Sequence, residues 1–132
     1  MLSTTFTLRE QDGVTVINVK GRLALGDGTG LLWQMIDDVL RRGSARLLLD
    51  LAHVSHIDSS GLGVLIAGYS RVAQIGGQMK LVNLSSQVVG TMQVTTLYTV
   101  FEVFDDLGRA LASFGGDKGQ PVRSSRSEIF VG

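Results

Sequence analysis

The stretch Arg46-Leu47-Leu48-Leu49-Asp50-Leu51, then Asp58-Ser59-Ser60-Gly61, then Leu62, Leu65, Ile66, Tyr69, Val72 and Ala73, decides the fold. The first six residues form a compact apolar run, the pattern of a strand covered on both faces. Periodicity alone leaves a buried helix segment open, but so short a run favours a strand. From Leu62 onward the apolar positions recur at helical spacing. Asp58, Ser59 and Ser60 offer capping oxygens just before them, and Gly76-Gly77 closes the segment. A strand, a polar turn and an amphipathic helix therefore stand in a row at the centre of the chain.

Upstream, two short β-prone runs, one with Phe6 and Leu8 and one with Val14, Val16, Ile17 and Val19, flank Gln11-Asp12-Gly13. An Asp-Gly pair in that position signals a hairpin. After Gly26-Asp27-Gly28-Thr29-Gly30, the residues Leu32, Met35, Ile36, Val39 and Leu40 have helical spacing, and Arg41-Arg42-Gly43 supplies a basic last turn and a stop. Downstream, residues 79–84 alternate as a strand. Ser85-Ser86 can cap a third helix carrying Val88, Val89, Met92 and Val94 and ending near Thr95-Thr96. Val100, Phe101, Val103 and Phe104 read as a last strand, and Asp105-Asp106 precede a last helix with Leu107, Ala110, Leu111 and Phe114. The order β-β-α-β-α-β-α-β-α predicts an α/β domain, a mixed sheet of about five strands with about four helices packed against it. Sites in such folds gather at strand-to-helix turns, which points to Asp58-Ser59-Ser60-Gly61.

Composition narrows the function. A chain of 132 residues makes one domain, expected over 1–114, with a flexible linker-like tail over 115–132 that includes Ser124-Ser125-Arg126-Ser127. Twelve basic residues balance twelve acidic ones, which gives no sign of a polyanion or membrane-surface partner, and no direct nucleic-acid binding is expected. The absence of cysteine excludes disulfides, thiolate zinc sites and cysteine nucleophiles, and fits a reducing compartment. No secretory signal opens the sequence, and the most apolar window, Gly61 to Gly77, is shorter than the ~20 apolar residues that span a bilayer. The expectation is a cytoplasmic protein without membrane insertion.

Residues 49–65, Leu49-Asp50-Leu51-Ala52-His53-Val54-Ser55-His56-Ile57-Asp58-Ser59-Ser60-Gly61-Leu62-Gly63-Val64-Leu65, closely resemble the STAS domain of bacterial anti-sigma-factor antagonists. The likeness continues through residues 76–84 and 97–104 and covers about residues 5 to 114. It implies a phosphorylation-switched binding module rather than an enzyme. By resemblance, Ser59 is the residue phosphorylated by a serine kinase that doubles as an anti-sigma factor, with Ser60 as the alternative acceptor. The unphosphorylated form would bind that kinase, a serine phosphatase would restore binding, and partner contacts would cluster at Asp58, Ser59, Ser60, Gly61, Leu62 and Gly63. The chain departs from the family where an acidic pattern often follows the second strand: it reads Gly21-Arg22-Leu23-Ala24-Leu25. That departure motivates an alternative, a constitutive scaffold in a sensory or transport assembly.

Other signals have ordinary explanations. The glycines of 26–30 lack the Gly-Lys-Ser/Thr ending of a phosphate loop, and His53 and His56 lack a third metal ligand. A hydrolase built from that loop, Asp58 and the two histidines is possible on paper, yet no nucleophile elbow surrounds Ser59. Trp33, Tyr69 and Tyr98 are scattered and lack a basic stripe. No catalytic residue, cofactor or metal is expected.

Overall fold

The computed structural model describes residues 4–95 and 100–115. The tail beyond Gly115, with Ser124 to Ser127, lies outside the described residues, as do Thr96 and the 97–99 part of the family resemblance. The strands are β1 (Thr4–Gln11), β2 (Val14–Leu23), β3 (Arg46–Ile57), β4 (Gln78–Val82) and β5 (Val103–Phe104). The helices are α1 (Thr29–Arg41), α2 (Ser59–Gln74), α3 (Ser86–Thr95) and α4 (Leu107–Ser113). The sheet runs β1-β2-β3-β4-β5, with β1 antiparallel to β2 and the later neighbours parallel. This is the expected mixed α/β sheet.

The hairpin forms at Asp12 and Gly13, both at positive φ (55° and 79°), closing on the pair Gln11 and Val14. That backbone matches the twist of antiparallel strands, and Asp and Gly tolerate it better than other residues do. Helix α3 has its expected cap: the Ser85 hydroxyl accepts the Val88 N–H at 3.3 Å.

Alternation along the strands divides the molecule into two cores. Ile17, Val19, Leu47, Leu49, Leu51, Met79, Leu81 and Val103 face α1, α2 and α3, meeting Leu32, Ile36, Leu62, Leu65, Val72, Val88 and Met92. Val14, Val16, Leu48, Val82 and Phe104 face the other way and meet Leu107, Ala110, Leu111 and Phe114 of α4 and its end. Tyr69 packs against the first core, and Trp33 is partly buried beneath Arg71. Arg71, which pairs with Asp37 of α1 at 2.5 Å, lies over the Trp33 ring, and Tyr69 meets Phe101 edge-on at 5.4 Å.

Two elements differ from the sequence reading. Strand β3 continues beyond the apolar run to Ile57, because register shifts against β2 absorb the irregular stretch Ala52-His53-Val54-Ser55-His56. Each shift sends the next buried residue, Val54 and then Ile57, back to the helix side while leaving His53 and His56 exposed. Strand β5 is shorter than expected, since only Val103 and Phe104 pair with β4. Phe101, fully buried, is held by packing against Tyr69 instead.

Helix α4 is fastened by a buried cation. Lys80 of β4 donates to the Ser113 carbonyl (3.2 Å) and hydroxyl (2.9 Å), pairs with Glu102 at 3.4 Å, and sits 4.7 Å from the Phe114 ring centroid. Replacing it with alanine strands the Ser113 acceptors under the helix and removes the cation from the aromatic face. Lys80→Ala should lower unfolding stability by about 2 kcal/mol, read from urea denaturation.

Candidate functional site

The strand-to-helix turn after β3 is organised by Asp58. Its backbone is extended (φ −117°, ψ −171°), which makes it the N-cap of α2, and its Oδ1 accepts the Gly61 N–H at 3.0 Å. Its other oxygen, Oδ2, accepts the Leu25 N–H at 3.1 Å from the segment between β2 and α1. That segment is a tight turn in which Ala24 and Asp27 exchange backbone hydrogen bonds of 2.9 and 2.8 Å, with Gly26 at φ 81°. Leu25 stands at its tip with 77% of its surface exposed. The Leu25 N–H, then the Gly61 N–H, hold the Asp58 carboxyl below its ordinary pKa of 3.8, against a weaker opposing effect of partial desolvation.

The six residues expected at the site are contiguous here but play different parts. Ser59 is exposed at the first position of α2, and Ser60 is half-buried. The sequence left all three polar residues open as caps; the structure gives that role to Asp58, since its side chain takes the Gly61 N–H. Leu62 lies in the core at 2% exposure, so its side chain supports the turn from below. Gly61 is a packing requirement, because a Cβ there would come within 2.2 Å of the Leu23 carbonyl oxygen. Gly63 is exposed, with open space where a side chain would go.

Sequence reasoning noticed the unusual Arg22 to Leu25 segment but not that it meets Asp58. No local pattern marks a backbone N–H that bonds a carboxylate 33 residues away. Arg22 is itself matched by Asp27, Nε to Oδ2 at 3.1 Å. The histidines lie along β3, His53 beside Lys20 and His56 beside Arg22. His53 lines a groove of about 300 Å³ with Thr5, Thr7, Asn18, Val19, Lys20 and Asp50. Among the described residues neither histidine is hydrogen-bonded to Ser59 or Asp58.

A family model, the STAS domain, matches residues 5–110. The chain belongs to the STAS domain family. A curated relative from Paenibacillus polymyxa, an anti-sigma F factor antagonist, is 27% identical over 99 residues, which is 75% of this chain and 85% of that protein. The crystal structure of an anti-sigma factor antagonist from Mycobacterium paratuberculosis is 26% identical with a TM-score of 0.77, covering 86% of this chain and 95% of the other. The Bacillus protein SpoIIAA in its unphosphorylated form shares the fold, with a TM-score of 0.72 at 20% identity over 85% of this chain and 97% of its own, and SpoIIAA has also been solved phosphorylated.

The lowered Asp58 pKa has a defined effect on acid stability. A carboxyl that ionises more readily folded than unfolded contributes stability above its unfolded pKa, and that contribution is lost as pH falls through the folded value. Asp58→Asn keeps a capping oxygen and removes the titration. Urea denaturation from pH ~5 down to ~2 should show a shallower loss of stability for the variant than for the native chain.

Proposed function

We propose that this STAS domain is a cytoplasmic anti-sigma-factor antagonist that works by partner switching. Unphosphorylated, it binds an anti-sigma factor that is also a serine kinase. Phosphate on Ser59 releases it, and a serine phosphatase returns it to the binding form. The observation that carries this reading is an exposed Ser59 directly after a carboxylate whose position is fixed by two backbone N–H groups, one of them from the exposed Leu25 on the neighbouring turn between β2 and α1. The relatives named as anti-sigma factor antagonists support it.

The site also suggests how the switch would act. Asp58 already takes the Gly61 N–H, so a phosphate on Ser59 finds one of the helix's free donors occupied and stands beside an ionised carboxylate. About −1.5 to −2 charges then project onto a surface that must be desolvated for docking. The fold need not change, because Ser59 supports no cap and its side chain points into solvent. Ser59 is the better acceptor than Ser60, which is half-buried. The relatives named as anti-sigma factor antagonists support a regulator over a catalyst. The second reading, a constitutive scaffold, is favoured by Arg22 and Ala24 standing where the family is often acidic.

The substitutions at Ser59 separate the two readings. Ser59→Ala removes no cap and should leave stability within about 0.5 kcal/mol of native, bind the kinase, and resist release by ATP. Ser59→Asp should fold and bind the same partner about five- to 150-fold more weakly, because it adds an unpaired charge to a desolvated contact. Calorimetric titration against the isolated partner, with intact-mass detection of phosphate after incubation with the kinase and ATP, decides between them. Equal affinities for the two variants, with no phosphate on Ser59 or Ser60, would leave the scaffold. In a second variant, Leu25→Glu should weaken the same complex without altering the fold, measured by the same titration, since Leu25 is an exposed apolar side chain on the proposed docking face.

A further inference from the structure

The outer edge of β1 carries an independent feature. This strand is one edge of the sheet, and its segment Thr4-Thr5-Phe6-Thr7-Leu8 contains no charge, proline or glycine. Natural sheets normally blunt such an edge with charge, proline, a bulge or a covering element, because a row of unpaired N–H and C=O groups is a template for another strand. Here charge appears only in the second half, at Arg9 and Glu10. Pairing with β2 places Phe6 opposite Val19 and Leu8 opposite Ile17 on the helix side, and Thr5 and Thr7 opposite Lys20 and Asn18 on the open side. Leu8 remains 43% exposed. Gly28, the N-cap of α1, lies tight against Thr4, which is buried at the start of the strand, and Leu31 in the first turn of α1 is 42% exposed. Among the described residues no second strand pairs with this edge, and Leu8 is exposed along it.

We propose that this edge pairs with the β1 of a second copy, antiparallel about a two-fold axis, to make one continuous sheet across a homodimer. The sequence selects the register. A two-fold axis perpendicular to the sheet keeps each residue on its own face, so the axis must pass through a residue of β1. At Arg9 it would set two guanidinium groups opposite each other. At Leu8 it would set Phe6 against Glu10. At Phe6 it would use only residues 4–8 of the described strand. At Thr7 all of residues 4–10 pair: Phe6 meets Leu8 twice on the helix side, Thr5 meets Arg9 and Thr4 meets Glu10, and no like charges face each other. Apolar and β-branched cross-strand pairs are the stabilising unit of a sheet, and the two-fold contact closes on itself. Ser59, at the end of β3 and two strands in from the edge, stays open in both copies.

The experiment uses the full chain and needs no ligand. Sedimentation equilibrium should show a dimer fraction that rises with concentration. Thr7 is exposed, so Thr7→Lys and Thr7→Glu should fold, as circular dichroism will show, and each places like charges across the axis. Each alone should self-associate about tenfold or more weakly than the native chain. An equimolar mixture of the two should recover the dimer, because Lys then faces Glu across the axis. A native chain monomeric up to its solubility limit would overturn the proposal. So would a Thr7→Lys dimer as strong as native, or a mixture that stays monomeric. Hydrogen exchange on the native chain gives a test that needs no variant: protection of β1 amides should increase with concentration, and no change would overturn the proposal.

Discussion

The Asp58 carboxylate is the constraint on which the site depends, because it is shared between two segments far apart in sequence. One oxygen closes the first turn of α2 through Gly61, and the other holds the turn at Leu25. The close approach of Gly61 to the Leu23 carbonyl makes this geometry possible, since any side chain at 61 would push α2 off the end of β2. Cap, turn and glycine contact thus form one unit. The surface around Ser59 is composed of two loops joined through one carboxylate.

The sheet that carries this unit is asymmetric. Three helices cover one face and bury most of the large side chains, while the seven-residue α4 covers only part of the other. So short a helix has little stability of its own, and most of its helicity comes from tertiary contacts. Its contacts are the Ala110, Leu111 and Phe114 seam and the Lys80 clasp. Among the described residues no helix covers the remainder of that face, from Thr5 to His53, where Thr5, Thr7, Asn18, Lys20, Asp50 and His53 line a groove.

Much of this was legible in the residues. The Asp12-Gly13 turn, the helical spacing from Leu32 and from Leu62, the Ser85 cap and the parallel order of the later strands each follow from local rules that the structure obeys. The second half of β3 was hidden because its buried residues, Leu51, Val54 and Ile57, fall three apart, a spacing that breaks the period of two of a regular strand and is closer to that of a helix face. The choice of Asp58 over two serines as cap was hidden for another reason. All three side chains have suitable oxygens, and only the backbone conformation where the strand ends selects one. The neighbourhood of Leu25 could not be read from local pattern at all, since it depends on a backbone N–H and on tertiary folding. The STAS resemblance located the turn but did not distinguish the residues that face outward from those that pack beneath.

The register shifts in β3 have an evolutionary consequence. Residues 15–23 of β2 run beside residues 47–57 of β3, so the second strand spends two more residues covering the same distance. Those residues bring Ile57 level with Leu23 and deliver the helix start to the Leu25 turn. Insertions and deletions between homologues should therefore accumulate at the Asp12-Gly13 hairpin and near Gly43, where length is absorbed by solvent-facing turns. In the 52–57 segment a change of a single residue would slide α2 by one strand step of about 3.3 Å. It would exchange inward and outward faces and part Asp58 from Leu25 while leaving composition almost untouched. In this part of the chain, length is more constrained than residue identity.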